Sequence, residues 1–213
     1  MVGNPETGTL QVSWRKIAIA LIDPATRVLS EMARFQQGCE VNYFRTNHQW
    51  VLRMTEAKLK KHLDAAEKSP KEIAAAVSGL PEQILHYKPS PDKWCVLEIL
   101  GHLADVEIIY GYRLRQMLAD TKPVIAPLDQ DAWARNLNYL DSPPSELVAF
   151  YGLARHHNLR LLRSLKPSDL SKHAFHPEMQ REVTVGELVE RMGGHGAAHL
   201  QQIEKLKAAA GKK

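Results

Sequence analysis

The chain has 213 residues, 44% hydrophobic and 24% charged, with a formal net charge of +4, which is the composition of a globular protein long enough to bury a substantial core. The excess charge sits at the ends: residues 54–205 hold 19 Lys and Arg against 20 Asp and Glu, so the body lacks the basic surface that gripping nucleic acid requires, and no nucleic-acid partner is expected. Cys39 and Cys95 are the two cysteines and belong to no CxxC pattern, which argues against a disulfide framework and for a reducing, cytoplasmic compartment.

Residues 1–53 read as an extension, either loosely ordered or a short docking helix. Leu10 to Ile22 is moderately apolar, but Arg15 and Lys16 interrupt it and Asp23-Pro24 ends it. The stretch is too short for a membrane span and lacks a clean signal-peptide cleavage site, so no membrane association is expected. One domain is expected over residues 54–206, followed by a basic tail at 207–213.

From Thr55 onward, Leu59, Leu63, Ala66, Ile73 and Val77 form an apolar stripe at helical spacing. Ser69-Pro70-Lys71-Glu72 has the look of a helix restart, with Ser as cap and Pro at the first position, so one kinked helix or two short ones are expected, ending near Gly79-Leu80-Pro81. A Pro-rich approach then leads to Lys93-Trp94-Cys95-Val96-Leu97-Glu98, where Glu98 stands in the acid slot of a capping box. The second helix runs to about Leu118, and its seam is Ile99, His102, Val106, Ile109 and Arg113. A histidine therefore occupies a core slot. Glu107, a carboxylate that could act as a base, lies at a helical angle well off His102.

Residues 119–141 form a long polar crossover with a short helix expected over 130–138. Such a connection often walls a pocket. Ser142-Pro143-Pro144 opens the third helix, with an expected stripe of Leu147, Phe150, Ala154, His157, Leu161 and Leu165. His157 is thereby a candidate fourth ligand. His173 and His176 follow in a loop that has room for a short extended piece. Thr184-Val185-Gly186-Glu187 is a capping box that launches the last helix. On that helix Val185, Leu188, Met192, His195, His199, Gln202 or Ile203, and Leu206 form the inward seam, which contains two histidines one turn apart. Gly193, Gly194 and Gly196 flank the first of them; bare backbone there suits either close helix packing or room for a metal and its ligand.

Four helices with a long connection between the second and third make an all-α four-helix bundle, whose core is a common place to build a site from facing side chains. An i,i+4 histidine pair and one histidine from a facing helix can converge on a divalent metal. His102, His195 and His199 are the candidate ligands. Three histidines leave a fourth position open for chemistry, whereas a closed structural site takes four protein ligands. The gap Gly196-Ala197-Ala198 carries no Glu, so the pair is not the HExxH metalloprotease motif.

Two segments, Lys93 to Glu107 and His195 to Ile203, resemble the two signatures of the DinB/YfiT-like superfamily over roughly residues 54–206. The resemblance implies a four-helix bundle with a long crossover, frequently dimeric. It also implies a divalent metal, zinc or nickel, on His102, His195 and His199. It does not imply one reaction, since relatives include transferases and isomerases using a low-molecular-weight thiol as well as proteins described as metal-dependent hydrolases.

Two functions fit this pattern. In the first, the chain is an enzyme whose open metal site activates a thiol for transfer or a water for hydrolysis of a small molecule. Arg113 and Arg191 are then candidates for holding a substrate carboxylate, and Gln202 for orienting a ligand. In the second, a non-catalytic bundle in a stress response uses the metal as a staple and binds a small ligand or partner. A closed shell completed by His157 would favour the second.

Overall fold

The computed structural model describes residues 54–211; the expected extension at 1–53 lies outside the described residues. Helix α1 spans Glu56–Val77, capped by Thr55, whose side chain accepts from the Lys58 amide. It runs straight through the expected restart, and Pro70 sits inside it. Proline has no N–H, so the Ala66 carbonyl loses its usual partner four residues on. Ser69 Oγ donates to that carbonyl at 3.1 Å, and Arg155 Nη1 donates to it from another helix at 3.1 Å. Replacing the missing bond in this way removes the reason for a break. A single turn, α2 (Glu82–Leu85), follows.

Helix α3 spans Val96–Ala119 and begins as its sequence indicates, with Glu98 reaching back to the Cys95 amide at 2.8 Å. Lys88 pairs with the same carboxylate. The crossover contains α4 (Gln130–Asn136) and a 3-10 turn at Tyr139–Asp141. Tyr139 packs on Gly101, where any side chain would collide with its ring, and its hydroxyl donates to Asp105 at 2.5 Å.

Helix α5 spans Pro144–Arg163. Its buried face is Tyr151, Arg155, Asn158, Leu159 and Leu162; of the expected stripe, Leu147, Leu161 and Leu165 pack half-buried against the core. Phe150 is 45% exposed and His157 is exposed. The helix is turned because two polar residues, Arg155 and Asn158, find buried partners on other helices. A short antiparallel hairpin then pairs β1 (His173–His176) with β2 (Arg181–Thr184). Crossover residue Val124 forms a parallel bridge to Phe175. Strands this short carry too little alternation to be read in advance. Helix α6 spans Val185–Ala210, launched by the expected Thr184–Glu187 capping box. It extends through the first residues of the expected tail and ends on Gly211.

The four long helices form the bundle. α1 packs on α5 and α6, and α3 packs on the same two, so consecutive long helices α1 and α3 stand across the bundle from each other. Two apolar clusters fill the interior, one around Tyr110, Leu114, Leu159 and Met192, the other around Ile73, Leu97, Leu103 and Ile203. Of Gly193, Gly194 and Gly196, two serve helix packing: a Cβ at Gly196 would collide with the Ser69 side chain of α1, and one at Gly193 would meet the His62 backbone at 2.9 Å. Gly194 faces open space. Among the described residues, no helix is long and apolar enough to cross a membrane.

Candidate metal centre

Helices α3 and α6 lie side by side, and their inward seams bring His102, His195 and His199 together. The i,i+4 spacing on α6 stacks two imidazoles one turn apart, and His102 comes from α3 to meet them. His195 Nε2 lies 3.2 Å from both His102 Nε2 and His199 Nε2. One ligand nitrogen from each residue falls within 4.8 Å of the other two. Trp94, just before α3, forms one wall, its ring 4.8 Å from that of His102 and stacked at 6.4 Å on His199. Tyr110 forms another, edge to face with His195 at 5.7 Å.

Burial holds all three imidazoles neutral. It lowers the pKa of His102 to about 3, with His199 adding a smaller push, and that of His195 to about 2, with both neighbouring histidines contributing. The pKa of His199 is lowered by the same burial, partly opposed by its bond to Gln202. A neutral imidazole carries one N–H and one lone pair. His199 Nδ1 donates to Gln202 Oε1 at 3.0 Å, which leaves the lone pair on Nε2. His195 Nε2 then stands between two nitrogens and has a single proton or a single lone pair to offer, so it cannot bond well to both. A cation accepting one lone pair from each ring removes that conflict. The spacing suits it, since nitrogens bound at about 2.0–2.1 Å around a tetrahedral zinc lie about 3.3 Å apart. The donor set fits a divalent metal.

The model of the DinB superfamily matches residues 65–203. The chain belongs to that superfamily. The protein of Oceanobacillus iheyensis named "Putative metal-dependent hydrolase OB0782" is 28% identical over 145 residues, covering 68% of this chain and 83% of its own length. The Bacillus subtilis protein named "Putative metal-dependent hydrolase YfiT" is 23% identical over 151 residues, covering 71% and 85%. The solved structure of Bacillus subtilis YfiT, described as having an unusual four-helix bundle topology, superposes with a TM-score of 0.70 at 22% identity, over 74% of this chain and 90% of that one. It shares the fold.

The other sequence-derived candidates separate. His157 is exposed and takes no part in the cluster, which among the described residues contains only the three histidines. Gln202 touches His199 and fixes which of its nitrogens bears the proton. Arg113 donates to the Ala126 carbonyl of the crossover at 2.7 Å, and Arg191 reaches the Met179 sulfur at the hairpin turn. Glu107 is 1% exposed and bonded by Arg155 at 2.5 Å and by Asn158 at 3.2 Å, so it is engaged as a structural anion and not as a free base. Arg155 also donates to Ser69 Oγ at 3.3 Å and to the Met192 carbonyl at 3.1 Å, one turn before His195. Its five-donor fork thus ties α5 to α1, α3 and α6. Nothing in the helical periodicity announces this hub, because all its partners are distant in sequence. Trp94 and Tyr110 had a signal: one lies in the first family-like segment, the other flanks the His102 seam.

Proposed function

We propose that the chain is a metal-dependent hydrolase of a small molecule, with His102, His195 and His199 holding zinc or nickel. The observation that carries this is the convergence of three neutral imidazole nitrogens with no fourth ligand among the described residues, His157 being turned to solvent. Three protein ligands leave a position open, and such an ion supplies a bound water that ionises near neutral pH. Gln202 orients His199, while Trp94 and Tyr110 wall the site. The names of the Oceanobacillus and Bacillus relatives support the same class of reaction. A purely structural role is disfavoured, because the two apolar clusters and the Arg155 hub already join the helices without any ion.

The test is elemental analysis of tag-free protein beside His199→Ala. About one zinc or nickel per chain, lost in the variant, is the expected result, the other two histidines being too few to hold it alone. The loaded protein is then assayed on ester and amide panels, with and without a low-molecular-weight thiol. Turnover that needs only water supports hydrolysis, and turnover that needs the thiol replaces it with thiol transfer. Protein that takes up no metal even after reconstitution overturns the proposal.

A further inference from the structure

Beyond Tyr110, one helical turn from the histidines, the bundle is closed over by the crossover and the hairpin, and positive charge gathers there. Arg191 stands one turn before His195 on α6, and Arg113 stands three residues after Tyr110 on α3. The ion pairs of the described residues take up Arg155, Arg163 and Arg181, but neither Arg113 nor Arg191. Each is instead steadied by a neutral group: the Ala126 carbonyl for Arg113, the Met179 sulfur for Arg191. Burial lowers the pKa of Arg113, and the charge of Arg191 adds to that effect. His176 of β1 joins them. Its Nδ1 is buried without a hydrogen-bond partner, and after burial the charge of Arg113 is the largest influence lowering its pKa. Glu178 opposes this charge but is ion-paired with neither arginine.

Two guanidinium groups, one anchored on the crossover and one on the turn of the hairpin that the crossover bridges to, with no carboxylate ion-paired to either, are an unbalanced arrangement. An anion relieves it, and guanidinium forks match the oxygens of carboxylates and phosphates. We propose that Arg113 and Arg191, with His176, form a subsite for the carboxylate or phosphate group of a small-molecule substrate. Its role rests on the metal-centre reading, because an anion held here lays the rest of the molecule across Tyr110 toward the three imidazoles. Its binding does not depend on the metal.

The experiment titrates full-length protein, metal-free and zinc-loaded, with inorganic phosphate and separately with malonate, by calorimetry. Arg113→Gln, Arg191→Gln, the double variant and His199→Ala are compared, each checked for an unchanged unfolding midpoint. Lys61→Gln controls for binding at a separate open cleft lined by Lys60, Lys61 and Lys68 of α1 and Ala197 of α6. Metal-free wild type is expected to bind one or both anions, with affinity falling roughly tenfold or more in each single arginine variant and binding lost in the double. Preference for phosphate or for malonate identifies which headgroup the subsite takes. His199→Ala retaining anion binding after losing zinc supports the subsite and the metal centre separately. His199→Ala retaining zinc would sink the metal reading while leaving the subsite intact. Equal binding by wild type and double variant, or no binding of either anion to wild type, overturns the subsite.

Discussion

Arg155 and Glu107 lie inside the same four helices as His102, His195 and His199, yet the two clusters obey opposite rules. The first is an ion pair whose partners lie within the fold: the guanidinium's Nη atoms find Glu107, Ser69 and two backbone carbonyls, with only Nε left unpartnered, and Asn158 takes the second carboxylate oxygen. The second is kept uncharged by burial, and its facing nitrogens cannot satisfy one another. One cluster finds nearly all its partners within the fold; the other keeps lone pairs that the fold itself does not use. A polar group in a core is therefore read by its remaining bonding capacity, and not by its polarity alone.

The largest test of this contrast is Arg155→Met. It leaves Glu107 buried without its cation and is expected to cost about 3–5 kcal/mol in urea unfolding, whereas Arg155→Met with Glu107→Leu should recover much of that loss. A double variant as unstable as the single one would mean that the hub acts through its backbone carbonyl contacts instead.

The imidazole cluster should respond in ligand affinity before it responds in fold. Gln202→Leu removes the acceptor that fixes the His199 tautomer, and zinc affinity measured by chelator competition should fall about 10–100-fold with little change in metal-free stability.

Acid separates the clusters next. The folded pKa values of His102 and His195 lie at about 3 and about 2, below the ordinary 6.5, so the unfolded chain binds more protons between those limits. Their stabilising contribution is whole above pH 6.5 and is lost as pH falls toward 3, at up to about 1.4 kcal/mol per pH unit for each group. Urea midpoints of metal-free protein from pH 8 to pH 4 should fall accordingly, and the slope should shrink in His102→Leu.

The smallest effect belongs to His157→Ala. An exposed residue outside the cluster should change stability by less than about 0.5 kcal/mol and leave metal content unchanged. Loss of metal in this variant would return His157 to the ligand set.

These contrasts also explain what the sequence makes legible. The HxxxH spacing and the capping boxes are local patterns, and the histidine cluster and the starts of α3 and α6 follow from them. The buried face of α5 is not local. Leu147, Phe150, Ala154 and Leu161 form as good a stripe as the true face, and only the partners of Arg155 and Asn158 on other helices decide between them. The hairpin escapes for a different reason: strands of four residues leave almost no period to read.

Pro70 has a consequence for how the bundle assembles. An isolated α1 would reach its midpoint with the Ala66 carbonyl short of its backbone partner, and the strongest replacement donor arrives on α5, nearly ninety residues later in the chain. Secondary structure and docking are thereby one cooperative event at that point. Protection of the amides around Ala66 against hydrogen exchange should rise and fall with docking of α5, marking the two segments as a single unit of local unfolding.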